Sequence, residues 1–104
     1  MSNKLEAIPL ARALEVGKRS RIQIYFDILR VLCEEFKNDK PSLTRVAHIA
    51  NLPYDRFQKC LNKLIQLGLV RDQNGKFLVT KKGFEYINEY ERINDFLRRM
   101  GLLP

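Results

Sequence analysis

Residues 42–70 read SLTRVAHIANLPYDRFQKCLNKLIQLGLV, and this stretch decides the fold. Ser42 is a good N-cap for a short helix, and apolar residues follow it at helical spacing. The inward face of this helix consists of Leu43, Val46, Ala47 and Ala50. Asn51 suits the left-handed conformation that often ends a helix. The pattern predicts a short helix followed by a tight turn.

A second helix is predicted to open at Leu52-Pro53-Tyr54, with the proline tolerated in the first turn, and to end at Gly68. Its inward face consists of Phe57, Cys60, Leu61, Leu64 and Ile65. Its outward face presents Asp55, Gln58, Lys59, Asn62, Lys63 and Gln66. Two helices joined by a tight turn, with a polar and amide-rich outer face on the second, are the arrangement that reads DNA.

A further helix is predicted before this pair, with Ser20 as its N-cap. Its single apolar face consists of Tyr25, Ile28, Leu29, Leu32, Cys33 and Phe36. The run Asn38-Asp39-Lys40-Pro41 then breaks the chain. Residues 1–18 are weakly patterned, and we expect them to form an N-terminal arm whose apolar residues pack on the rest of the protein.

The segment from Leu69 to Thr80 changes to strand spacing around Asn74-Gly75, the dipeptide best suited to a type I′ hairpin turn. A β-hairpin directly after a DNA-reading helix is a wing. Thr80 then caps a last helix that runs to about Met100 and stops at Gly101. The predicted fold class is mostly α, an α+β winged helix, with an arm (1–18), a winged helix-turn-helix domain (19–82) and a C-terminal helix (83–104).

The last helix carries an apolar seam that points to a second copy of the chain. Its residues Tyr86, Tyr90, Ile93, Leu97 and Met100 are spaced 4, 3, 4 and 3 apart, as in the a/d positions of a coiled coil. A helix of this length has more seam than so small a domain can cover, so a homodimer is predicted. The alternative is that the helix folds back onto the first helix and the arm.

The charge is concentrated in one block of this 104-residue chain, whose length suits a single domain. The net charge is +7, and residues 40–82 carry nine Lys and Arg against only Asp55 and Asp72. Such a block is typical of a surface that binds a polyanion, although a solubilising surface is the alternative. No apolar run approaches the roughly 20 residues that span a bilayer, so a cytoplasmic, nucleoid-associated protein is expected.

Catalytic and metal-binding patterns are weak. His48 stands alone, without Cys, Asp or Glu at metal-ligand spacing, and no glycine-rich phosphate loop occurs. Cys33 and Cys60 fall on inward helix faces and are interpreted as buried thiols, with a disulfide as the alternative. The sequence therefore predicts no enzyme, no cofactor, no metal and no small-molecule substrate.

Three stretches resemble the small winged-helix DNA-binding proteins of thermophilic archaea, which include chromatin-type proteins and transcriptional regulators. They are RSRIQIYFDILRVL (Arg19–Leu32), NLPYDRFQKCLNKLIQLGLV (Asn51–Val70) and VTKKGFEYINEYE (Val79–Glu91). The resemblance implies a helix-turn-helix, a hairpin wing and a C-terminal helix that pairs antiparallel with its mate in a coiled-coil dimer. Pro53 departs from the family pattern, which usually has a small polar capping residue there, and so the first turn of the DNA-reading helix should present its backbone differently.

The predicted partner is double-stranded DNA, with the second helix of the pair in the major groove and the wing on the backbone. Gln58 and Asn62 can make amide contacts to base edges, whereas Lys59 and Lys63 suit phosphates. The full predicted set is Arg45, Tyr54, Arg56, Gln58, Lys59, Asn62, Lys63, Arg71, Lys76, Lys81 and Lys82. The basic cluster from Lys18 to Arg21 either touches a phosphate or forms a solvated junction.

Two other partner classes remain open from the sequence. A winged helix can act as a protein–protein adaptor in a transcription or replication assembly, but the DNA-reading helix lacks the exposed apolar patch that an adaptor would need. Single-stranded nucleic acid would require exposed aromatic residues, for which only Tyr54 and Phe77 are available. The sequence does not separate a packaging protein from a regulator.

Overall fold

The computed structural model describes residues 19–35 and 42–104, which form four helices and one two-stranded sheet. The helices are α1 (Arg21–Glu35), α2 (Leu43–Ile49), α3 (Tyr54–Gln66) and α4 (Lys81–Arg99), and the strands are β1 (Val70–Gln73) and β2 (Lys76–Val79). This is the predicted mostly α winged helix. The predicted arm, Phe36 and the predicted break before Ser42 lie outside the described residues.

Local side-chain signals set most of the helix ends, as predicted. The hydroxyl oxygens of Ser20, Ser42 and Thr80 each accept a hydrogen bond from the backbone N–H three residues further on, at 3.2, 3.4 and 3.1 Å. Asn51 has a φ of 58° and ends α2 in the left-handed conformation. The three hydroxyls satisfy backbone donors in the first turns of their helices, and Asn51 turns the chain from α2 towards α3.

The hairpin has the turn that its sequence predicts. Asn74 and Gly75 have φ angles of 53° and 84°, as a type I′ turn requires. The strands pair antiparallel with Val70 opposite Val79, and the Asp72 carboxylate accepts a hydrogen bond from the Gly75 N–H at 3.0 Å. The wing is therefore a short two-stranded ribbon closed by its own turn.

The core lies between α1, α2 and α3 and is completed by the first residues of the wing and by α4. Its largest fully buried side chains are Phe57, Ile28, Leu29, Leu32, Leu61, Leu64, Val46 and Val70. Phe84 and Ile87 of α4 stand close to the wing in the sequence, and each is expected to pack on this core. Ile87 is buried, but Phe84 is 49% exposed, because Gly83 is the residue of the first α4 turn that lies against the wing.

The first half of α4 packs on α1 of the same chain. The Tyr86 hydroxyl donates a hydrogen bond to the Ile22 carbonyl, and the rings of Phe26 and Tyr90 stack with centroids 4.2 Å apart. Burial raises the pKa of the Tyr86 hydroxyl. For Tyr86 and Tyr90, the structure therefore has the fold-back onto the first helix that the sequence left as the alternative.

Candidate nucleic-acid interface

Helix α3 carries a polar face directly opposite its buried face. Phe57, Leu61 and Leu64 are buried in the core and fix the rotation of the helix about its axis. Lys59 and Asn62 lie on the opposite side and are exposed. The buried residues thus turn Lys59 and Asn62, two of the predicted DNA-contacting residues, outward. Arg56, Lys63 and Gln66 are also exposed.

The start of α3 shows what Pro53 changes. Pro53 is the N-cap, and no side chain hydrogen-bonds to the first turn, in agreement with the expected departure from the family pattern. One turn later, the Gln58 amide nitrogen donates to the Tyr54 hydroxyl at 3.3 Å. Gln58 is half-buried, and this bond restrains the amide that was predicted to contact a base.

The wing and the first turn of α4 add exposed cations next to the C-terminal end of α3. Arg71 of β1, Lys76 of β2 and Lys81 of α4 are exposed. Lys82 is exposed too, but its ammonium group donates to the Leu67 carbonyl at 2.6 Å. Lys82 therefore caps the C-terminal end of α3, where a positive charge is favourable.

Arg45, a predicted DNA contact, and Arg19, from the basic cluster before α1, both pair with carboxylates within the protein. The Arg45 guanidinium lies 3.0 Å from the carboxylate of Glu35, a buried residue at the end of α1. The Arg19 guanidinium contacts Asp27 at 2.8 Å and donates to the Ala50 and Asn51 carbonyls, both at 2.7 Å. Sequence reasoning missed the role of Arg19 because its partners lie up to 32 residues away.

Apart from Lys82, whose ammonium group donates to a backbone carbonyl, the Lys and Arg residues that the structure describes divide into a paired and an unpaired set. The paired set consists of Arg19, Arg30, Arg45, Arg92 and Arg98, each of which contacts a carboxylate. No carboxylate of residues 19–35 and 42–104 pairs with the unpaired set, which is Arg21, Arg56, Lys59, Lys63, Arg71, Lys76, Lys81 and Arg99. All of the unpaired cations except Arg21 and Arg99 belong to α3, the wing or the first turn of α4. The fold thus leaves six unpaired cations on the surface that the sequence singles out, where the carboxylates are those of Asp55 and Asp72.

A second surface lies on the distal half of α4 and on the residues that directly follow it. Ile93, Phe96, Met100 and Leu102 are 50%, 49%, 57% and 62% exposed, and Leu97 is half-buried. Phe96 and Leu102 were not in the predicted seam. The spacing of Phe96 also fits a coiled coil, because it stands three residues after Ile93 and four before Met100.

The remaining side-chain chemistry is plain. Among the described residues, no group of three or more His, Cys, Asp and Glu could hold a metal ion. Cys33 and Cys60 are both free thiols and partly buried, and burial raises the pKa of the Cys33 thiol. His48 is exposed. None of the helices in the described ranges is long and apolar enough to cross a membrane.

Comparison with known proteins gives two matches. Residues 18–98 match the family model described as winged helix-turn-helix. An uncharacterized protein of the archaeon Methanocaldococcus jannaschii is 32% identical over 75 residues, which cover 71% of this chain and 73% of that protein. Both agree with the resemblance to small archaeal winged-helix proteins. Winged helix-turn-helix domains in general bind DNA and are typically not enzymes.

Proposed function

Because the chain belongs to the winged helix-turn-helix family, we propose that it binds double-stranded DNA with α3 in the major groove. A groove about 12 Å wide admits one α-helix, whose diameter with side chains is about 10–12 Å. The observation that carries the proposal is the surface of unpaired cations on α3, the wing and the start of α4. A surface of this kind attracts phosphates and releases their counterions on binding.

Within this surface the side chains divide by chemistry. Asn62 and the Tyr54-restrained amide of Gln58 face base edges, where amides pair well with adenine. Lys59 and Lys63 contact phosphates, because an ammonium group on a long stem suits a point charge better than a fixed pattern of base atoms. Arg71, Lys76 and Lys81 hold the wing and the first turn of α4 on the backbone.

Arg45 and Lys82 take a lesser part in the proposed interface. Each already has a partner in the free protein, Glu35 for Arg45 and the Leu67 carbonyl for Lys82. A phosphate contact from either side chain would have to replace or share that partner. We therefore place both at the margin of the interface.

The protein is further proposed to act as a homodimer through α4. Four apolar side chains in its distal part and directly after it are about half exposed, and burying the rest of each contributes about 1 kcal/mol, or about 8 kcal/mol for two copies. Association costs about 4–15 kcal/mol, so this seam alone supports only a weak dimer. Contacts outside the seam are therefore part of the proposal, and antiparallel pairing is the arrangement that the family resemblance favours.

In the cell, such a dimer would act as an archaeal chromatin-associated protein or as a transcriptional regulator, in the cytoplasm and on the nucleoid. The two roles differ in sequence preference. A packaging protein binds any duplex through its phosphates, whereas a regulator prefers a site with two half-sites one or more helical turns apart. Competition between genomic fragments for the purified protein separates the two roles.

The test is a titration of a labelled arbitrary duplex at about 50 and 200 mM salt. The Lys59→Ala/Lys63→Ala variant should lower the slope of log affinity against log salt by about 1.8 per protomer, since each phosphate contact contributes about 0.9. Its matched control is Arg92→Ala/Arg99→Ala, which removes two exposed cations from the distal half of α4. Absence of duplex binding at low salt, or equal losses in both variants, would contradict the proposal.

A further inference from the structure

A cleft between the N-terminal half of α1 and α3 gathers four cations. It measures about 410 Å³ and is lined by Arg21, Arg56, Lys59 and Lys63. Its other lining residues are Ile24, Tyr25 and Cys60, which are buried or half-buried. Arg56, Cys60 and Lys63 follow one another at helical spacing, so they form the flank of α3 that turns towards α1. The cleft is thus continuous with the polar face of α3 and extends it sideways.

Arg21 stands in an unfavourable place for the free protein. It lies in the first turn of α1, which contains no acidic residue, and the positive end of a helix dipole repels a cation. No carboxylate in the described ranges pairs with it. Its neighbours in the cleft are cations as well. A bound anion would therefore relieve the electrostatic repulsion at Arg21.

Arg19, two residues earlier, shows the contrast. Its guanidinium donates to Asp27 and to the carbonyls of Ala50 and Asn51 at the end of α2. The two arginines of the same basic segment thus differ in their hydrogen-bond partners. Arg19 joins α1 to α2, whereas Arg21 lines the cleft and pairs with no carboxylate in the described ranges.

We propose that the cleft binds a backbone phosphate of the duplex, with Arg21 of α1 and Arg56 and Lys63 of α3 as its ligands. This rests on the proposed DNA binding and adds α1 to the interface. When α3 occupies the major groove, phosphates flank the groove on both sides, and the element beside α3 is the N-terminal half of α1. A guanidinium can bind two phosphate oxygens at once, and the apolar floor of the cleft lowers the local dielectric and strengthens the attraction.

The test compares three proteins in the duplex titration: wild type, Arg21→Gln and Arg99→Gln. Arg99 is the matched control, because it is an exposed and unpaired arginine at the far end of α4. Between about 50 and 200 mM salt, one phosphate contact changes affinity by about 3.5-fold, which is a fourfold salt change raised to the power 0.9. Arg21→Gln should reduce the ratio of the two affinities by this factor per protomer, and Arg99→Gln should leave it unchanged.

Urea unfolding of the free proteins separates a binding role from a structural one. Arg21→Gln should be as stable as wild type or more stable, since it removes a repelled cation, whereas Arg19→Gln should be less stable. A wild type that binds DNA while Arg21→Gln keeps its salt dependence would overturn this proposal and leave DNA binding intact. A wild type that does not bind the duplex would overturn both.

A free anion is the other source of the same chemistry, and a further arm distinguishes it. Inorganic phosphate replaces chloride at constant ionic strength while thermal unfolding is followed. Wild type should gain at most a small rise in Tm over Arg21→Gln, because an isolated phosphate lacks the other contacts by which the duplex holds its phosphate at the cleft. A rise in Tm for wild type only, with equal salt slopes on DNA, would assign the cleft to a free anion and overturn the proposal.

Discussion

Replacing Gly83 by alanine should loosen the joint between α4 and the wing. A Cβ atom at this position would lie 2.4 Å from the Leu69 carbonyl oxygen and 2.7 Å from Cγ1 of Val79. The Leu69 carbonyl is not free to move, since it accepts the Thr80 N–H at 3.0 Å. The clash is therefore with backbone at the point where the hairpin meets the helix.

Two effects of opposite sign decide the magnitude. Overpacking costs about 1–3 kcal/mol, and a clash with hydrogen-bonded backbone belongs at the upper end. Alanine returns about 1 kcal/mol relative to glycine inside a helix. The free energy of unfolding should therefore fall by about 2 kcal/mol, which lowers the urea midpoint by about 1–2 M for an m value of about 1–2 kcal/mol/M.

The assay is urea unfolding followed by circular dichroism, at one protein concentration because a dimer makes stability depend on concentration. Asn88→Ala is the matched control: Asn88 is exposed on the same helix, so its replacement reports helix propensity alone and should stabilise by about 0.5 kcal/mol. If Gly83→Ala raises the midpoint as Asn88→Ala does, the close approach of α4 to the wing is absent in solution and the reasoning is refuted.

Three further changes test the seam and the α4 contacts. Ile93→Glu/Met100→Glu places charges on the proposed seam, so sedimentation equilibrium should give a dimer for wild type and the 12.3 kDa monomer for the variant; a monomeric wild type would refute the dimer. Tyr86→Phe should cost about 1 kcal/mol at neutral pH, since it removes one hydrogen bond to an α1 carbonyl. Because folding raises the pKa of the Tyr86 hydroxyl, its contribution to the free energy of unfolding is complete below about pH 10 and is lost at higher pH. The difference in free energy of unfolding between wild type and Tyr86→Phe should therefore shrink above that pH. A difference that stays constant would contradict the burial of Tyr86. Lys82→Met keeps most of the stem but removes the ammonium cap of α3, which should cost about 0.5–1 kcal/mol and lower Tm by about 2–8 °C in thermal unfolding; an unchanged Tm would mean that the cap is not formed.

Short-range signals were enough to predict the order of the elements. Ser42 and Thr80 cap their helices, Asn51 takes the left-handed conformation, and Asn74-Gly75 forms the hairpin turn. Each of these features depends on residues within about four positions along the chain. Local chemistry of this kind is visible in a single sequence.

Long-range partners were not predictable in the same way. Helical spacing showed that Tyr86 and Tyr90 share a face with Ile93, but not that α1 would cover the two tyrosines and leave Ile93 exposed. Lys82 looked like one more basic residue of a cationic block until the fold brought it to the C-terminal end of α3. A periodic pattern predicts which side chains are buried, whereas the packing of the helices determines which residues bury them.

The carbonyls of Leu67 and Gly68, directly after α3, tie the end of that helix to the start of α4. The Gly68 carbonyl accepts the Thr80 hydroxyl at 2.6 Å, and the Leu67 carbonyl accepts the Lys82 ammonium, so the first turn of α4 grips the end of α3. These two hydrogen bonds restrict movement between α3 and α4. In the proposed dimer, which is joined through α4, this restraint in both protomers would hold the two α3 helices at a set distance from each other. Inserting half a helical turn, about 5 bp, between two half-sites would then turn one of them away from its reader.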